Sequence, residues 1–327
     1  MKHVLSALAF ALALTLAAPA MVQAQQVNPT ANSVTEDALF NALRPGQEVA
    51  GRISIPDAGA AGLIKPDNKG WAATHNTTVK SLTTWSIAGV LVLLALFYVV
   101  RGRIRIDAGP SGRSITRFAG IERFAHWLMA GSFIVLALTG LNLVLGRTLV
   151  LPLVGEGGFG TLSAYGKIAH NYVGWAFMIG LALSFVLWVG RNIPRAHDMT
   201  WIAQGGGLLK KGVHPPAGKF NAGQKLIFWL VTLGGIALSV TGYFLLFPGT
   251  IGQADWQFYQ LIHGIVSALL TAIILAHIYI GSVGMEGAFD AMGSGEVDLN
   301  WAKEHHPLWV EEVQGKGAAH GSAHPAE

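Results

Sequence analysis

Five long stretches without a formal charge constrain this sequence more than any other feature. Each is at least 20 residues long and rich in aliphatic and aromatic side chains. An α-helix needs about 20 apolar residues to cross a bilayer, whereas the strands of a transmembrane barrel would alternate in polarity over about ten residues. We therefore predict an all-α integral membrane protein. The stretches are residues 81–100, 124–146, 168–190, 226–247 and 257–285.

The composition agrees with a membrane location and narrows the possible chemistry. Of the 327 residues, 52% are hydrophobic and 12% are charged, whereas a typical soluble domain has about 25% charged residues. The net charge of +4 is too small to indicate a nucleic-acid partner, and the basic residues cluster by membrane side instead. The sequence has no cysteine, so a metal centre in this chain would use histidines or carboxylates.

The N-terminal region precedes the five stretches and has its own pattern. In residues 1–24, Lys2 is followed by an apolar run and then by Val22-Gln23-Ala24, which predicts a cleaved signal peptide. The alternative is an uncleaved membrane helix. Residues 25–80 contain five acids and five bases and are predicted to form a periplasmic N-terminal arm. Residues 81–100 would then be an additional transmembrane helix ahead of a four-helix core at residues 121–285.

The charge of the loops predicts the orientation of the chain. Residues 101–123 carry six Arg against two acids, and residues 191–225 carry six bases against one acid. Basic loops remain in the cytoplasm, so we predict a multi-pass protein of the bacterial inner membrane with a periplasmic mature N-terminus and a cytoplasmic C-terminus. The tail, residues 286–327, has eight acids and two bases. This composition favours contact with a partner subunit over contact with anionic lipid.

Four of the 12 histidines lie inside the uncharged stretches, namely His126, His170, His263 and His277. The topology places His126 and His277 near the cytoplasmic face and His170 and His263 near the external face. His263 and His277 are 14 residues apart. On one helix this spacing separates them by about 21 Å along the axis and places them within about 40° of the same face. Pairing by depth predicts two bis-histidine sites, the ligation of two stacked b haems in a four-helix bundle.

Other interpretations of these residues remain open. A single intramembrane histidine is commonly a hydrogen-bonded core residue, and a histidine-relay transporter is the functional alternative of another class. Neither explains the pairing by depth. Arg123 and Lys167, each three residues before a proposed ligand, either meet haem propionates or extend to the interface. Glycines in the histidine-bearing stretches either admit a planar ring or allow close helix packing; they are Gly131, Gly140, Gly174, Gly180 and Gly264.

Five of the eight histidines outside the five stretches are predicted to be solvated loop residues. None of them has a histidine partner at the same depth within a membrane-spanning stretch. The polar arm, residues 25–80, contains no catalytic motif. These histidines are His75, His197, His214, His305 and His306.

Short segments beside the histidines are similar to a known family. They are E-R-F-A-H-W at residues 122–127, G-K-I-A-H at 166–170, R-N-I-P at 191–194, N-A-G-Q-K at 221–225 and W-A-K-E-H-H-P-L-W at 301–309. Together with the spacing of His263 and His277, they resemble the cytochrome b (gamma) subunit of membrane-bound formate dehydrogenase over residues 121–310. The fourth and fifth segments are the most specific.

This resemblance implies a four-helix core in which the four intramembrane histidines bind two b haems. It implies docking to an iron–sulfur beta subunit and to a molybdenum or tungsten alpha subunit that oxidises formate. Electrons would pass from the outer to the inner haem and reduce menaquinone or ubiquinone near Asn221, Gly223 and His277. The alternative role for Asn221 is a helix N-cap. A hydrogenase or thiosulfate reductase cytochrome is the nearest alternative function, and the two specific segments argue against it.

Overall fold

The computed structural model describes residues 68–208 and 210–321, so the predicted signal peptide and most of the predicted arm lie outside the described residues. Long helices dominate the described chain. The helices are α1 (Asn68–Thr74), α2 (Lys80–Arg101), α3 (Gly120–Leu149), α4 (Leu151–Trp188), α5 (Ala196–Ala203), α6 (Ala222–Leu246), α7 (Gln253–Tyr279), α8 (Asp290–Gly293), α9 (Leu299–His305) and α10 (Pro307–Gly321). The strands are β1 (Ser114–Thr116) and β2 (Glu296–Asp298).

Five helices are long and apolar enough to cross a membrane, as the uncharged stretches predicted. They are α2 with the π-helical turn before it, α3, α4 with the short turn after it, α6, and α7 with the π-helical turn that follows. The predicted all-α membrane fold is confirmed. Backbone hydrogen bonds within each helix satisfy the amide groups that lipid cannot satisfy.

The helices α3 and α4 extend further than the uncharged stretches indicated. Residues 147–167 lie between the second and third uncharged stretches, but they do not form a long loop. Only Val150 separates the two helices, and α4 has a kink at Gly155, where φ is 70°. The 30 residues of α3 span about 45 Å, and residues 156–188 of α4, after the kink, span about 50 Å, both more than the roughly 30 Å of the hydrocarbon core. Charged residues such as Arg147 and Lys167 indicate where a helix leaves the lipid, but the helix itself continues beyond them.

Close helix packing depends on glycines, two of them among the five considered above. A Cβ on Gly180 of α4 would lie 2.7 Å from the backbone nitrogen of Met129 on α3. A Cβ on Gly264 of α7 would lie 2.8 Å from a methyl group of Val79, just before α2. Both positions therefore support the packing role. The second contact fixes the additional helix α2 against α7.

A folded cap closes one end of the bundle. We use this name for residues 102–119, 192–208, 210–221 and 285–310, which pack together beyond the ends of the spans. Strands β1 and β2 pair antiparallel, with Ile115 opposite Val297. The hydrophobic centre of the cap includes the aromatic side chains of Phe118, Phe220, Trp301 and Trp309, and Trp188 at the end of α4 packs into it.

Acidic residues of the tail attach it to the first basic loop through backbone amides. The carboxylate of Glu304 accepts hydrogen bonds from the amides of Asp107 and Ala108, at 3.0 and 2.9 Å. Asp298 accepts from the Ser111 amide at 2.8 Å. Burial raises the pKa of Asp298, but its hydrogen bonds lower that pKa more, so its net pKa is below the usual value. Much of the acidic tail is thus used for contacts within this chain.

The structure contradicts the prediction of a solvated loop residue for His306. Its exposed fraction is 1%, its ring packs against Trp301, and its Nδ1 lies 2.7 Å from the carbonyl of Gly218. Burial lowers the pKa of His306 well below its usual value, and it lowers the pKa of His305 to about 4. The prediction failed because residues distant in sequence cover the tail. His214 is exposed, as expected.

Candidate haem-binding site

The structure brings the four intramembrane histidines together as two pairs. His170 of α4 faces His263 of α7, with the ring centroids 6.3 Å apart. At the end of the bundle nearest the cap, His126 of α3 faces His277 of α7 at 6.4 Å. Each pair therefore joins two different helices, and α7 contributes one imidazole to each pair. We call these the outer pair and the inner pair.

The centroid distances fit one metal ion between the two rings of each pair. A ligating imidazole nitrogen lies about 2 Å from the metal, and the centroid of its ring lies about 1.1 Å further away. Two imidazoles that bind one metal from opposite sides therefore have centroids about 6.2 Å apart. The observed 6.3 and 6.4 Å match this separation. The outer and inner pairs thus have the spacing of axial ligand pairs.

The donor set favours haem over a bare metal ion. Among the described residues, no three or more His, Asp or Glu side chains are arranged so that they could hold a metal ion. Zinc sites use three or four protein ligands, whereas the haem macrocycle supplies four nitrogens and leaves two axial positions for the protein. Two imidazoles at each site therefore fit two b haems.

A second set of residues, which the sequence analysis missed, holds the outer pair. The Oγ1 atom of Thr139 lies 2.8 Å from Nδ1 of His170, and Oγ1 of Thr241 lies 2.8 Å from Nδ1 of His263. The next residue in each case is a glycine against the same ring: a Cβ on Gly140 or Gly242 would lie 3.6 or 3.3 Å from the histidine Cε1. The signal that could have revealed these residues is the Thr-Gly dipeptide repeated in α3 and α6.

The inner pair has different surroundings. His126 Nδ1 is buried without a hydrogen-bond partner among the described residues. The adjacent Trp127 makes an edge contact with the His126 ring and donates from its indole to the carbonyl of Met292, at 2.8 Å. The start of α3 is thereby fixed to the cap, but the imidazole itself receives no such support.

A hydrophobic layer separates the two pairs. Its members include Phe133, Phe177 and Leu270, which are buried together in the centre of the bundle. Leu270 is seven residues from both histidines of α7, Phe133 is seven residues after His126, and Phe177 is seven residues after His170. Two turns of helix span about 10 Å, so this layer lies midway between the pairs and keeps the intervening space apolar.

Arg123 and Lys167 differ in their surroundings. An Nη of Arg123 donates to the Ser294 carbonyl in the cap, and its Nε is buried without a partner among the described residues. Lys167 is exposed. Contact of either side chain with haem propionates stays a prediction.

Asn221 and Gly223 lie together at the start of α6, and both have structural roles. Asn221 Oδ1 accepts from the Gln224 amide at 2.9 Å, and Gln224 Oε1 accepts from the Asn221 amide at 3.1 Å. This reciprocal arrangement is a capping box, so the N-cap alternative for Asn221 is observed. A Cβ on Gly223 would lie 2.9 Å from the Trp201 ring. The proposed quinone contacts of these residues stay a prediction.

A buried ion pair anchors the same end of α6. Lys225 Nζ lies 2.7 and 3.0 Å from the two carboxylate oxygens of Asp198, and the two side chains are 7% and 9% exposed. Burial raises the pKa of Asp198, but the hydrogen bonds from Lys225 and from the Arg195 amide lower that pKa more, so the net shift is downward. In the sequence alone, Asp198 and Lys225 are recognisable only as charges of a basic loop.

Arg117 is a second buried charge in the cap that the sequence analysis did not single out. Its guanidinium lies over the rings of Phe118, Trp301 and Trp309, 5.2, 5.0 and 5.8 Å from their centroids. It donates to the carbonyl of Lys219 at 2.8 Å. Burial lowers the pKa of Arg117 to about 9, an effect that Glu122 partly offsets. Arg117 therefore links three segments of the cap.

Comparison with known proteins agrees with this geometry. The family model described as prokaryotic cytochrome b561 matches residues 117–295, more than half of the chain. The nitrate-inducible formate dehydrogenase cytochrome b556(Fdn) subunit of Escherichia coli (strain K12) is 32% identical over 207 residues, which are 62% of this chain and 93% of that protein. The residues matched by the family model, 117–295, contain all four histidines of the two pairs.

Two further relatives have similar names. The formate dehydrogenase cytochrome b556(fdo) subunit of Escherichia coli (strain K12) is 27% identical over 205 residues, covering 62% of this chain and 94% of that protein. The formate dehydrogenase cytochrome b556 subunit of Haemophilus influenzae is 28% identical over 203 residues, covering 61% and 83%. With its five apolar helices, this chain belongs to the prokaryotic cytochrome b561 family and is a multi-pass membrane cytochrome b.

Proposed function

We propose that this chain is the cytochrome b subunit of a formate dehydrogenase complex and carries electrons through two b haems to the quinone pool. The observation that carries the proposal is the arrangement of two histidine pairs at two depths of one bundle, with centroid separations of 6.3 and 6.4 Å. The names of the relatives support formate as the electron donor. These names also favour this function over a hydrogenase or thiosulfate reductase cytochrome.

The residues of this chain hold and insulate the two sites. When bound, the haems supply one-electron carriers at two depths in the membrane. His170 and His263 hold the outer position, and His126 and His277 hold the inner position. The layer that includes Phe133 keeps water from the space between them, which preserves a low-dielectric interior.

The complex and its orientation belong to the same proposal. An iron–sulfur beta subunit delivers electrons to the outer face, after a molybdenum or tungsten alpha subunit has oxidised formate. The mature N-terminus lies in the periplasm and the C-terminus in the cytoplasm of a bacterial inner membrane. The position of both basic loops in the cap supports this orientation, because basic loops stay in the cytoplasm.

The proposed quinone site lies at the start of α6, near the cap. A quinone carbonyl needs hydrogen-bond donors and access to protons from water, and Asn221, Gly223 and His277 supply polar groups at this end of the bundle. The acceptor is menaquinone or ubiquinone.

The proposed function is tested by measuring haem reduction and haem reoxidation separately. In the purified complex, formate should reduce the haems and a quinone analogue should then reoxidise them. Both steps are followed by the haem absorption bands. Reduction by dithionite but not by formate would refute the assignment of the donor. A preparation without any haem band would favour the histidine-relay transporter instead.

Two substitutions of Asn221 separate its capping role from quinone binding. Asn221→Ala removes both the cap and the amide, whereas Asn221→Ser keeps a capping oxygen. We expect both variants to be reoxidised more slowly by quinone, with the rate of reduction by formate unchanged. Only the alanine variant should lose stability, by about 1 kcal/mol. Normal reoxidation in both variants would exclude Asn221 from the quinone site.

A further inference from the structure

We propose that Thr139 and Thr241 are positioning residues that fix the tautomer of the outer histidine pair and lower the midpoint potential of the outer haem relative to the inner one. The inference rests on the proposed function, because it requires a haem at each pair. Its basis is the hydrogen bonding of Nδ1, which differs between the outer and inner pairs.

The hydroxyl protons of both threonines have an acceptor other than histidine. Thr139 Oγ1 lies 2.8 Å from the Val135 carbonyl, and Thr241 Oγ1 lies 2.7 Å from the Ala237 carbonyl, one turn earlier in each helix. A carbonyl can only accept, and each hydroxyl has one proton to donate. When that proton goes to the carbonyl, the hydroxyl oxygen is free to accept a hydrogen bond from the imidazole.

This arrangement determines which imidazole nitrogen carries the proton. Nδ1 of His170 and of His263 donates to its threonine, at 2.8 Å in both cases. Each ring then keeps a lone pair on Nε2, which is the form that binds a metal. All polar groups of each Thr–His contact are satisfied in this tautomer. The opposite tautomer would lose one of the two bonds made by each threonine hydroxyl.

The two contacts come from equivalent places in the bundle. Thr139 on α3 supports a ligand on α4, and Thr241 on α6 supports a ligand on α7. In both cases the following glycine lies against the same imidazole. The outer pair is therefore held symmetrically, whereas His126 in the inner pair has a buried Nδ1 with no partner among the described residues.

Donation from Nδ1 adds negative character to the imidazole and raises its basicity as a ligand. A more basic axial ligand stabilises the oxidised metal and lowers its reduction potential. Both outer ligands have this support and His126 does not, so the outer potential is lowered relative to the inner one. Electron transfer from the outer to the inner site is then favoured in the direction of the proposed function.

The test replaces each hydroxyl by a methyl group of similar size. Thr139→Val and Thr241→Val should each raise the outer midpoint potential, with a three- to tenfold change in the reduction equilibrium; tenfold corresponds to about 59 mV for one electron. The inner potential should not change. Redox titration followed optically gives both potentials, and the outer component is the one missing in His170→Ala.

Two controls make the test specific. Thr139→Ser and Thr241→Ser retain the hydroxyl and should restore the potential of the unmodified chain. Thr83→Val removes the same type of bond, from Thr83 Oγ1 to the Val79 carbonyl at 2.7 Å, in a buried position of α2 where the hydroxyl has no hydrogen bond to a histidine of the described chain, and should shift neither potential. If a valine variant loses the outer haem and the serine variant retains it, the positioning role is also supported.

Several results would overturn the inference. They are an unchanged outer potential with both haems present, a shift confined to the inner haem, an equal shift in Thr83→Val, or loss of the outer haem in the serine variants. Failure of the proposed function would look different, because the unmodified chain itself would then contain fewer than two haems or would not be reduced by formate.

Discussion

Removal of Lys225 should destabilise the protein strongly, because the carboxylate of Asp198 would remain buried without its counter-ion. Asp198 lies in the first turn of α5, and its side chain is 9% exposed. In Lys225→Met it would keep the amide of Arg195, at 2.6 Å, and His197, whose Nε2 lies 3.7 Å from Oδ1. Breaking a buried ion pair by removing one partner costs about 3–5 kcal/mol. We expect a loss of stability in this range.

An exposed pair supplies the matched control. Arg191 and Glu312 are 2.8 Å apart, but their side chains are 47% and 33% exposed. Exposed pairs contribute about 0–1 kcal/mol, so Arg191→Met should have a small effect. Equilibrium unfolding in mixed micelles, followed by the loss of helical circular dichroism, measures both variants. The double variant Lys225→Met/Asp198→Leu should recover most of the stability, since no buried charge remains.

The pH dependence provides a second check on the ion pair. The folded-state pKa of Asp198 is lowered, so its contribution to stability is present above the unfolded value of about 3.9 and is lost as the pH falls through the folded pKa. In Lys225→Met the carboxyl group is buried without the cation, which raises its pKa and lets it protonate earlier. The stability difference should therefore shrink on acidification below about pH 5. A loss no larger than that of Arg191→Met, or a difference independent of pH, would refute this reasoning.

Three further predictions concern packing and the cap. Gly180→Val should lower the stability of the fold by about 1–3 kcal/mol or more, because a Cβ would lie 2.7 Å from the backbone of Met129. The control Gly89→Ala, on the open face of α2, should change the stability little. Equal thermal stabilities of the two variants would contradict this packing. Arg117→Lys should cost about 1–2 kcal/mol through lost ring stacking, and hydrogen exchange should then speed up in residues 285–310; unchanged exchange would be the contrary result. Glu304→Gln should cost about 1–2 kcal/mol, because the amide has one acceptor oxygen for two backbone N–H groups, and the same exchange experiment tests it.

The sequence predicted the bundle and the depth of its histidines because both depend on local rules. A stretch free of charge has to be long enough to cross lipid, and the spacing of His263 and His277 fixes their depths and common face on one helix. The partners His126 and His170 then follow from the alternating direction of the spans. The structure brings together the pairs that this reasoning predicted.

The cap and the supports of the outer pair could not be predicted in the same way. Glu304 binds amides of residues nearly 200 positions earlier in the chain, so neither its partners nor the burial of His306 is visible in local composition. Thr139 and Thr241 resemble many polar residues in membrane helices until the packing of α3 on α4 and of α6 on α7 is known. Helix lengths beyond the membrane were also underestimated, since Arg147 and Lys167 are compatible with helix in water.

The number of haems per chain tests the central claim most directly. A pyridine haemochrome assay on the purified complex, with the protein quantified by amino-acid analysis, should give two b haems per copy of this chain. His170→Ala and His126→Ala should each reduce the count to one, with different spectral components lost. A single haem in the fully loaded protein, or loss of the same component in both variants, would contradict the assignment of two histidine pairs to two haems.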